Sequence, residues 1–144
     1  MNPLRPEPGQ TSPGGRKPLR VLVIDDDAAT LDFVTALLKA ANCEVHAAEG
    51  GEAGLRLAAA VSPDVVVLDV MMPHMDGYMV CRLLRDDLAT SHIPVIMLTG
   101  ADDPALNRKA YAAGAQACVP KPFRREGLIA AMQAVVAGVP RTQT

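Results

Sequence analysis

Polar side chains with the groups for metal and phosphoryl chemistry stand where short aliphatic runs end. Arg20-Val21-Leu22-Val23-Ile24 closes abruptly on Asp25-Asp26-Asp27, and Asp64-Val65-Val66-Val67-Leu68 closes on Asp69. Ile93–Leu98 leads into Thr99-Gly100, and Ala117–Val119 leads through Pro120 to Lys121. Carboxylates brought within about 4 Å repel by roughly 4 kcal/mol at an effective dielectric near 20. A cluster of them therefore needs a proton or a cation. An all-oxygen acidic pocket suits a hard divalent ion such as Mg²⁺, which takes one or two carboxylates and keeps several waters. With such an ion, a hydroxyl and an ammonium beside it, an exposed carboxylate is equipped to attack phosphorus.

The elements that must position these groups follow from the same runs. Short, β-branched aliphatic stretches closed by acids read as buried parallel strands. Between them lie stretches with helical spacing. Residues 28–41 repeat apolar groups at Leu31, Phe33-Val34 and Leu37-Leu38, with Asp27 or Thr30 as the cap. A second strand is expected over Cys43–Ala48 and a second helix over Gly51–Val61, broken by Ser62-Pro63. Further helices are expected from about Asp76 to Leu88, from about Asp103 to Ala113 with Gly114 as the stop, and from about Arg124 to Ala137. Strands alternating with helices at this spacing predict an α/β fold. It is a single doubly wound five-stranded parallel sheet in the flavodoxin-like (βα)5 order 2-1-3-4-5. In such a sheet, ligands bind beyond the carboxyl ends of the strands. Asp25, Asp26, Asp69, Thr99 and Lys121 all fall on that edge, at the ends of strands 1, 3, 4 and 5, which are contiguous in this order.

The chain has 144 residues, of which 49% are hydrophobic and 3% aromatic, with no Trp, so its core must be aliphatic. The formal net charge of −2 shows no basic excess, which argues against nucleic acid as a direct partner. Cys43, Cys81 and Cys118 form no CxxC pair and no metal-ligand spacing. No apolar run approaches the ~20 residues needed to span a bilayer, and the start of the chain has no apolar leader stretch, so a cytoplasmic location is expected. Residues 1–18, rich in Pro and Gly, are expected to be a disordered tail. Residues 19–138 are expected to form one domain and residues 139–144 a short C-terminal tail. With so little chain after the last helix, the expectation is a stand-alone domain that acts by docking.

Taken together, Val-Leu-Val-Ile-Asp25-Asp26-Asp27, Pro63-Asp-Val-Val-Val-Leu-Asp69-Val-Met-Met-Pro73-His-Met-Asp76-Gly77, Ile93-Pro-Val-Ile-Met-Leu-Thr99-Gly100 and Lys121-Pro122-Phe123 resemble the receiver domain of two-component response regulators. The resemblance extends from about Arg20 to Ala137. It implies that Asp69 is the phospho-acceptor, with Asp26 on Mg²⁺ directly and Asp25 largely through water. It also implies that Asp69 and the backbone carbonyl of Met71 complete the metal site. Thr99 and Lys121 would bind the phosphoryl oxygens, and Lys121-Pro122 would be a cis peptide. The implied partners are a sensor histidine kinase or phosphotransfer protein and an unspecified downstream protein. No membrane partner is implied, and a weak homodimer would use the face of helix 4, strand 5 and helix 5. The chain departs from the family pattern at Cys118, where an aromatic often stands. The resemblance further implies that Met71 and Ala101, neither of which can activate water, give a slow to moderate loss of phosphate.

Two rival readings remain. Asp25-x-Asp27 superficially matches the nucleophile motif of aspartate-dependent phosphatases, although Ala29 stands where such motifs carry Thr or Val. A phosphorylation-independent module that keeps only the fold is the other, and it gives no reason to retain a repelling acidic cluster. Met71, Met72, Met75 and Met79 beside His74 fit an apolar loop and helix start better than a copper site.

Overall fold

A computed structural model describes residues 17–138. Of the tails expected at 1–18 and 139–144, residues 1–16 and 139–144 lie outside the described residues. The elements run β1 (Arg20–Asp25), α1 (Ala28–Ala40), β2 (Glu44–Glu49), α2 (Gly51–Val61), β3 (Val65–Asp69), α3 (Gly77–Asp86), β4 (Val95–Thr99), α4 (Pro104–Ala112), β5 (Ala117–Pro120) and α5 (Arg125–Val136). All strand pairs are parallel, in the order β2-β1-β3-β4-β5.

The continuous aliphatic character of β1, β3, β4 and β5 has a direct packing cause. Successive side chains point to opposite faces of a sheet, and here both faces are covered. Val21, Val23, Val65, Val67, Ile96, Leu98, Ala117 and Val119 pack with Leu31, Val34 and Leu38 of α1 and with Leu128, Ala131, Met132 and Val135 of α5. The alternate residues Leu22, Ile24, Val66, Leu68, Val95, Met97 and Cys118 pack with residues of α2, α3 and α4.

Aspartate caps start three of the five described helices. Asp27 caps α1, its carboxylate accepting from the Thr30 N–H at 3.1 Å and the Thr30 hydroxyl at 2.6 Å. Asp76 and Asp103 cap α3 and α4 in the same way, accepting from the N–H groups of Met79 and Ala105. Gly114, at φ +110, takes the left-handed position just past α4. The third helix is shorter than its expected end near Leu88. Asp87 leaves the helix, its carboxylate accepting from the Ala89 N–H at 3.0 Å, and Leu88 is 93% exposed, so no burial extends the helix. The fourth strand begins at Val95 rather than Ile93, because the Ile93 N–H turns back to the Thr90 carbonyl and Pro94 has no N–H to offer.

At the amino end of the sheet, Arg85 of α3 donates to the carbonyls of Gly114 (3.0 Å) and Ser91 (3.2 Å) and to Gln116 Oε1 (2.9 Å). Gln116 Oε1 also accepts from the Val95 N–H at 2.7 Å. This staple ties α3 to β4 and β5. Arg85→Met is expected to lower unfolding free energy by about 2–3 kcal/mol, through lost charged hydrogen bonds. Urea titration would check it, and a loss below roughly 0.5 kcal/mol would contradict it. The staple lies at the end of the sheet opposite the acidic residues, so Mg²⁺ affinity is expected to be unchanged.

Candidate functional site

Parallel strands in register end at a common level, and this brings the acids together. Asp25 is the last residue of β1 and Asp69 the last of β3, and Ile24 pairs with Leu68 across the two strands. Both carboxylates are buried, each residue 3% exposed. Asp26 follows β1 on the more open side. Asp25, Asp26 and Asp69 each place a carboxylate oxygen within 4.8 Å of the others. Thr99 ends β4, one residue beyond the Leu98 that pairs with Asp69. Lys121 follows β5, its N–H bonded to the Thr99 carbonyl at 2.7 Å, and the Lys121-Pro122 peptide is cis, as the motif led us to expect.

The ammonium of Lys121 reaches Asp69 Oδ1 at 2.7 Å. Asp25 is held differently. Its Oδ1 accepts from the Asp27 N–H at 2.9 Å. Burial pushes its carboxyl from 3.8 up to about 6, opposed by that N–H and by Lys121 and reinforced by the charges of Asp69 and Asp26. Thr99 lies beside these groups, but its hydroxyl donates to the Ala101 carbonyl at 3.1 Å, within its own loop. Asp27 points away into its capping role, and its carboxyl is lowered chiefly by the Thr30 hydroxyl. Met71 lies in the loop after β3 and is 74% exposed, so any part it takes in the pocket falls to its backbone.

The donor set fits a hard divalent cation. Among the described residues it groups oxygen from three carboxylates, and the Lys121 ammonium forms its ion pair with Asp69. The raised carboxyl of Asp25 reports chiefly its burial, and the charges of Asp69 and Asp26 add to it.

Two neighbours of the site were not apparent from spacing. Tyr78, in the first turn of α3, is 5% exposed and packs in the same cluster as Cys118. Burial and then Cys118 raise its hydroxyl. Lys109 of α4 sits over its ring, 4.5 Å from the centroid. The aromatic side chains of the cluster that holds Cys118 come from α3 (Tyr78) and α4 (Tyr111) rather than from β5. Gly77, just before it, lies against the Asp69 backbone. An aromatic after Asp76-Gly77 was the available signal, but nothing in its spacing says which helix it would meet.

Comparison with known proteins places this arrangement. The model of the response regulator receiver domain matches residues 21–133, and the chain belongs to that family. It is a receiver domain of the two-component type, a class that signals by phosphorylation and binds Mg²⁺ at an acidic pocket. It is 38% identical over 117 residues to the DNA-binding dual master transcriptional regulator RpaA of Synechocystis sp., covering 81% of this chain and 48% of RpaA. It is 42% identical over 104 residues to the response regulator PleD of Caulobacter vibrioides, covering 72% of this chain and 23% of PleD. The chain thus spans half or less of the length of these relatives. Among solved structures, the Vibrio cholerae chemotaxis protein CheY4 superposes with a TM-score of 0.77 at 31% identity, covering 82% of this chain and 98% of that one. A response regulator receiver domain protein from Clostridium thermocellum gives 0.76 at 31% identity, covering 83% and 95%. Among the described residues, no helix is long and apolar enough to cross a membrane.

Proposed function

We propose that Asp69 accepts a phosphoryl group from the phosphohistidine of a sensor histidine kinase or phosphotransfer protein, and that the product docks on a downstream protein. The observation that carries this reading is the Asp69 carboxylate, held at a strand end by Lys121 at 2.7 Å beside two further carboxylates. A carboxylate oxygen of Asp69 forms the new bond to phosphorus as the bond from phosphorus to the histidine nitrogen breaks, and hydrolysis later returns the free carboxylate. Asp26, Asp69 and the Met71 carbonyl would hold Mg²⁺, with Asp25 contributing largely through water. Bound there, Mg²⁺ supplies positive charge to the phosphoryl oxygens and offsets the repulsion among the acids. Lys121 lies close enough to follow a phosphoryl oxygen as it arrives on Asp69. Thr99 then has a choice of acceptors. Its hydroxyl leaves the Ala101 carbonyl for a phosphoryl oxygen, and the loop into α4 loses that tether. This is a two-state element biased by a local charge event.

The reading assigns no separate enzymatic activity, a cytoplasmic location and protein rather than nucleic-acid partners, in keeping with the net charge of −2. A phosphatase using Asp25 and Asp27 loses support from the geometry, since Asp27 is engaged by Thr30 as the cap of α1.

The test is incubation with a small phosphodonor and Mg²⁺, followed by intact mass. Wild type is expected to gain one phosphoryl group and Asp69→Asn none, with Asp27→Ala retaining it. Phosphorylation of Asp69→Asn at the wild-type rate would falsify the assignment.

A further inference from the structure

Gly77 opens α3, and its φ lies outside the left-handed region, so its backbone conformation does not call for glycine. Space does. A Cβ there would collide with the Asp69 carbonyl oxygen and stand 2.8 Å from Val70 Cα and 3.1 Å from the Asp69 carbonyl carbon. Elsewhere among the described glycines the crowding partners are side chains. Gly51 meets Met75 and Val80, Gly54 meets Ile24, and Gly114 meets Arg85. Side chains can rotate away, whereas the Asp69–Val70 peptide cannot move without carrying Asp69 with it.

The contact is also bonded. The Gly77 N–H donates to the Val70 carbonyl at 2.8 Å, and the Val70 N–H donates to Leu98 of β4 at 3.3 Å. The Asp76 carboxylate fixes the same turn of α3 through the Met79 N–H at 2.9 Å. The end of β3 is thus braced by β4 on one side and by the bare Cα of α3 on the other.

We propose that Gly77 is a positioning residue for phosphoryl transfer: its missing side chain lets α3 seat against the Asp69–Val70 backbone and so sets where the Asp69 carboxylate stands relative to Lys121, Asp25 and Asp26. This rests on Asp69 being the acceptor. An added methyl displaces the peptide by a fraction of an ångström or more, and misplacement of a reacting group by about 1 Å can cost on the order of 100-fold in rate.

The experiment compares the full chain as wild type, Gly77→Ala and Gly114→Ala. Gly114, at φ +110 and against Arg85, supplies a destabilising substitution at the opposite end of the sheet. Acetyl phosphate with Mg²⁺ is the donor, and the ¹³C carboxyl resonance of Asp69 is followed separately in the metal-free protein. Gly77→Ala is expected to lower the maximal phosphorylation rate by about 10- to 100-fold while half-saturation by donor stays within about twofold, the pattern of a misplaced nucleophile. Its Asp69 resonance should move. Gly114→Ala should lose stability and keep both readouts.

The proposal is overturned by an unmoved resonance with a rate within about twofold of wild type, or by an equal loss in Gly114→Ala. If Gly77→Ala does not fold, Asp76→Ala decides. It loosens the same turn without adding a Cβ and is expected to slow phosphorylation about threefold or more, so a wild-type rate there overturns the proposal. A wild-type chain that takes no phosphoryl group overturns the acceptor reading instead. The metal-free resonance, which needs no donor, still decides the seat.

Discussion

Lys121→Met is expected to slow phosphoryl transfer onto Asp69 by about two to three orders of magnitude, the usual cost of deleting one preorganised donor to a developing oxyanion. Lys121 makes the direct ion pair to Asp69, and the pair is set in a pocket where the Asp69 side chain is 4% exposed. A low-dielectric setting of that kind strengthens the interaction over its value in water. Methionine keeps much of the stem and removes the charge, so the loss reports charge more than packing. Thr99 offers no substitute, because its hydroxyl is neutral and in this state is bonded to Ala101.

The same substitution should act on stability. Asp69 is left among two other acids without its cation. Removing one member of a buried pair costs about 3–5 kcal/mol, but the Lys121 side chain is 37% exposed, so a discounted loss of about 1–2 kcal/mol is expected in the metal-free protein. Mg²⁺ should recover part of it. Quench-flow or mass-resolved phosphorylation at saturating Mg²⁺ provides the measurement. A variant phosphorylated within about threefold of wild type would remove Lys121 from the transition state.

Asp25→Asn is expected to have two effects of opposite sign. Without metal it should stabilise the protein at pH 7. Burial lifts the Asp25 carboxyl from 3.8 to about 6, so the folded state holds its proton more tightly than the unfolded chain does. The stability this contributes is fully present below pH ~4 and is lost as pH rises through about 6. A shift of this size corresponds to about 3 kcal/mol, and screening through the open side of the pocket reduces the expectation to about 1–2 kcal/mol at pH 7. Wild type and variant should therefore be close in stability near pH 4 and diverge as pH rises. Asparagine can still accept the Asp27 N–H bond through its amide oxygen, so that contact is retained.

With metal the sign reverses. Asp25→Asn should weaken Mg²⁺ binding by about 10-fold or more. In wild type, Mg²⁺ affinity should fall as pH drops through about 6, because binding must displace the Asp25 proton. Thermal melts at pH 4 and pH 7, with and without Mg²⁺, provide the measurement. A variant less stable than wild type at pH 7 in chelator would show that burial of the Asp25 carboxylate carries no such cost.

Much of this pocket was legible in the sequence, because burial on both faces of a parallel strand demands an unbroken aliphatic run. The first acid, hydroxyl or amine to break such a run must therefore stand at the edge of the sheet. Asp25, Asp69 and Thr99 were readable for that reason, and Lys121 through Pro120 and the Pro122 that follows it. Element ends were less legible. The end of α3 depended on Asp87 taking the Ala89 N–H, and the start of β4 on a turn from Ile93 to Thr90. Both are local competitions for a backbone donor that the apolar pattern does not register.

By itself, then, the sequence determined the order of strands and helices, the edge on which the acids gather and the hard-cation character of their pocket. These depend on side-chain period and on which residue ends each run. Only the tertiary structure decided that Lys121 pairs with Asp69 rather than with Asp25, and that Thr99 turns its hydroxyl to Ala101. It also decided that Tyr78 reaches Cys118 from α3 under Lys109, and that the Asp69 peptide rests on Gly77. Each of these is a rotamer or a close approach between residues from different elements. Such contacts are set by how the finished layers pack, and periodicity within one element carries no information about its neighbour.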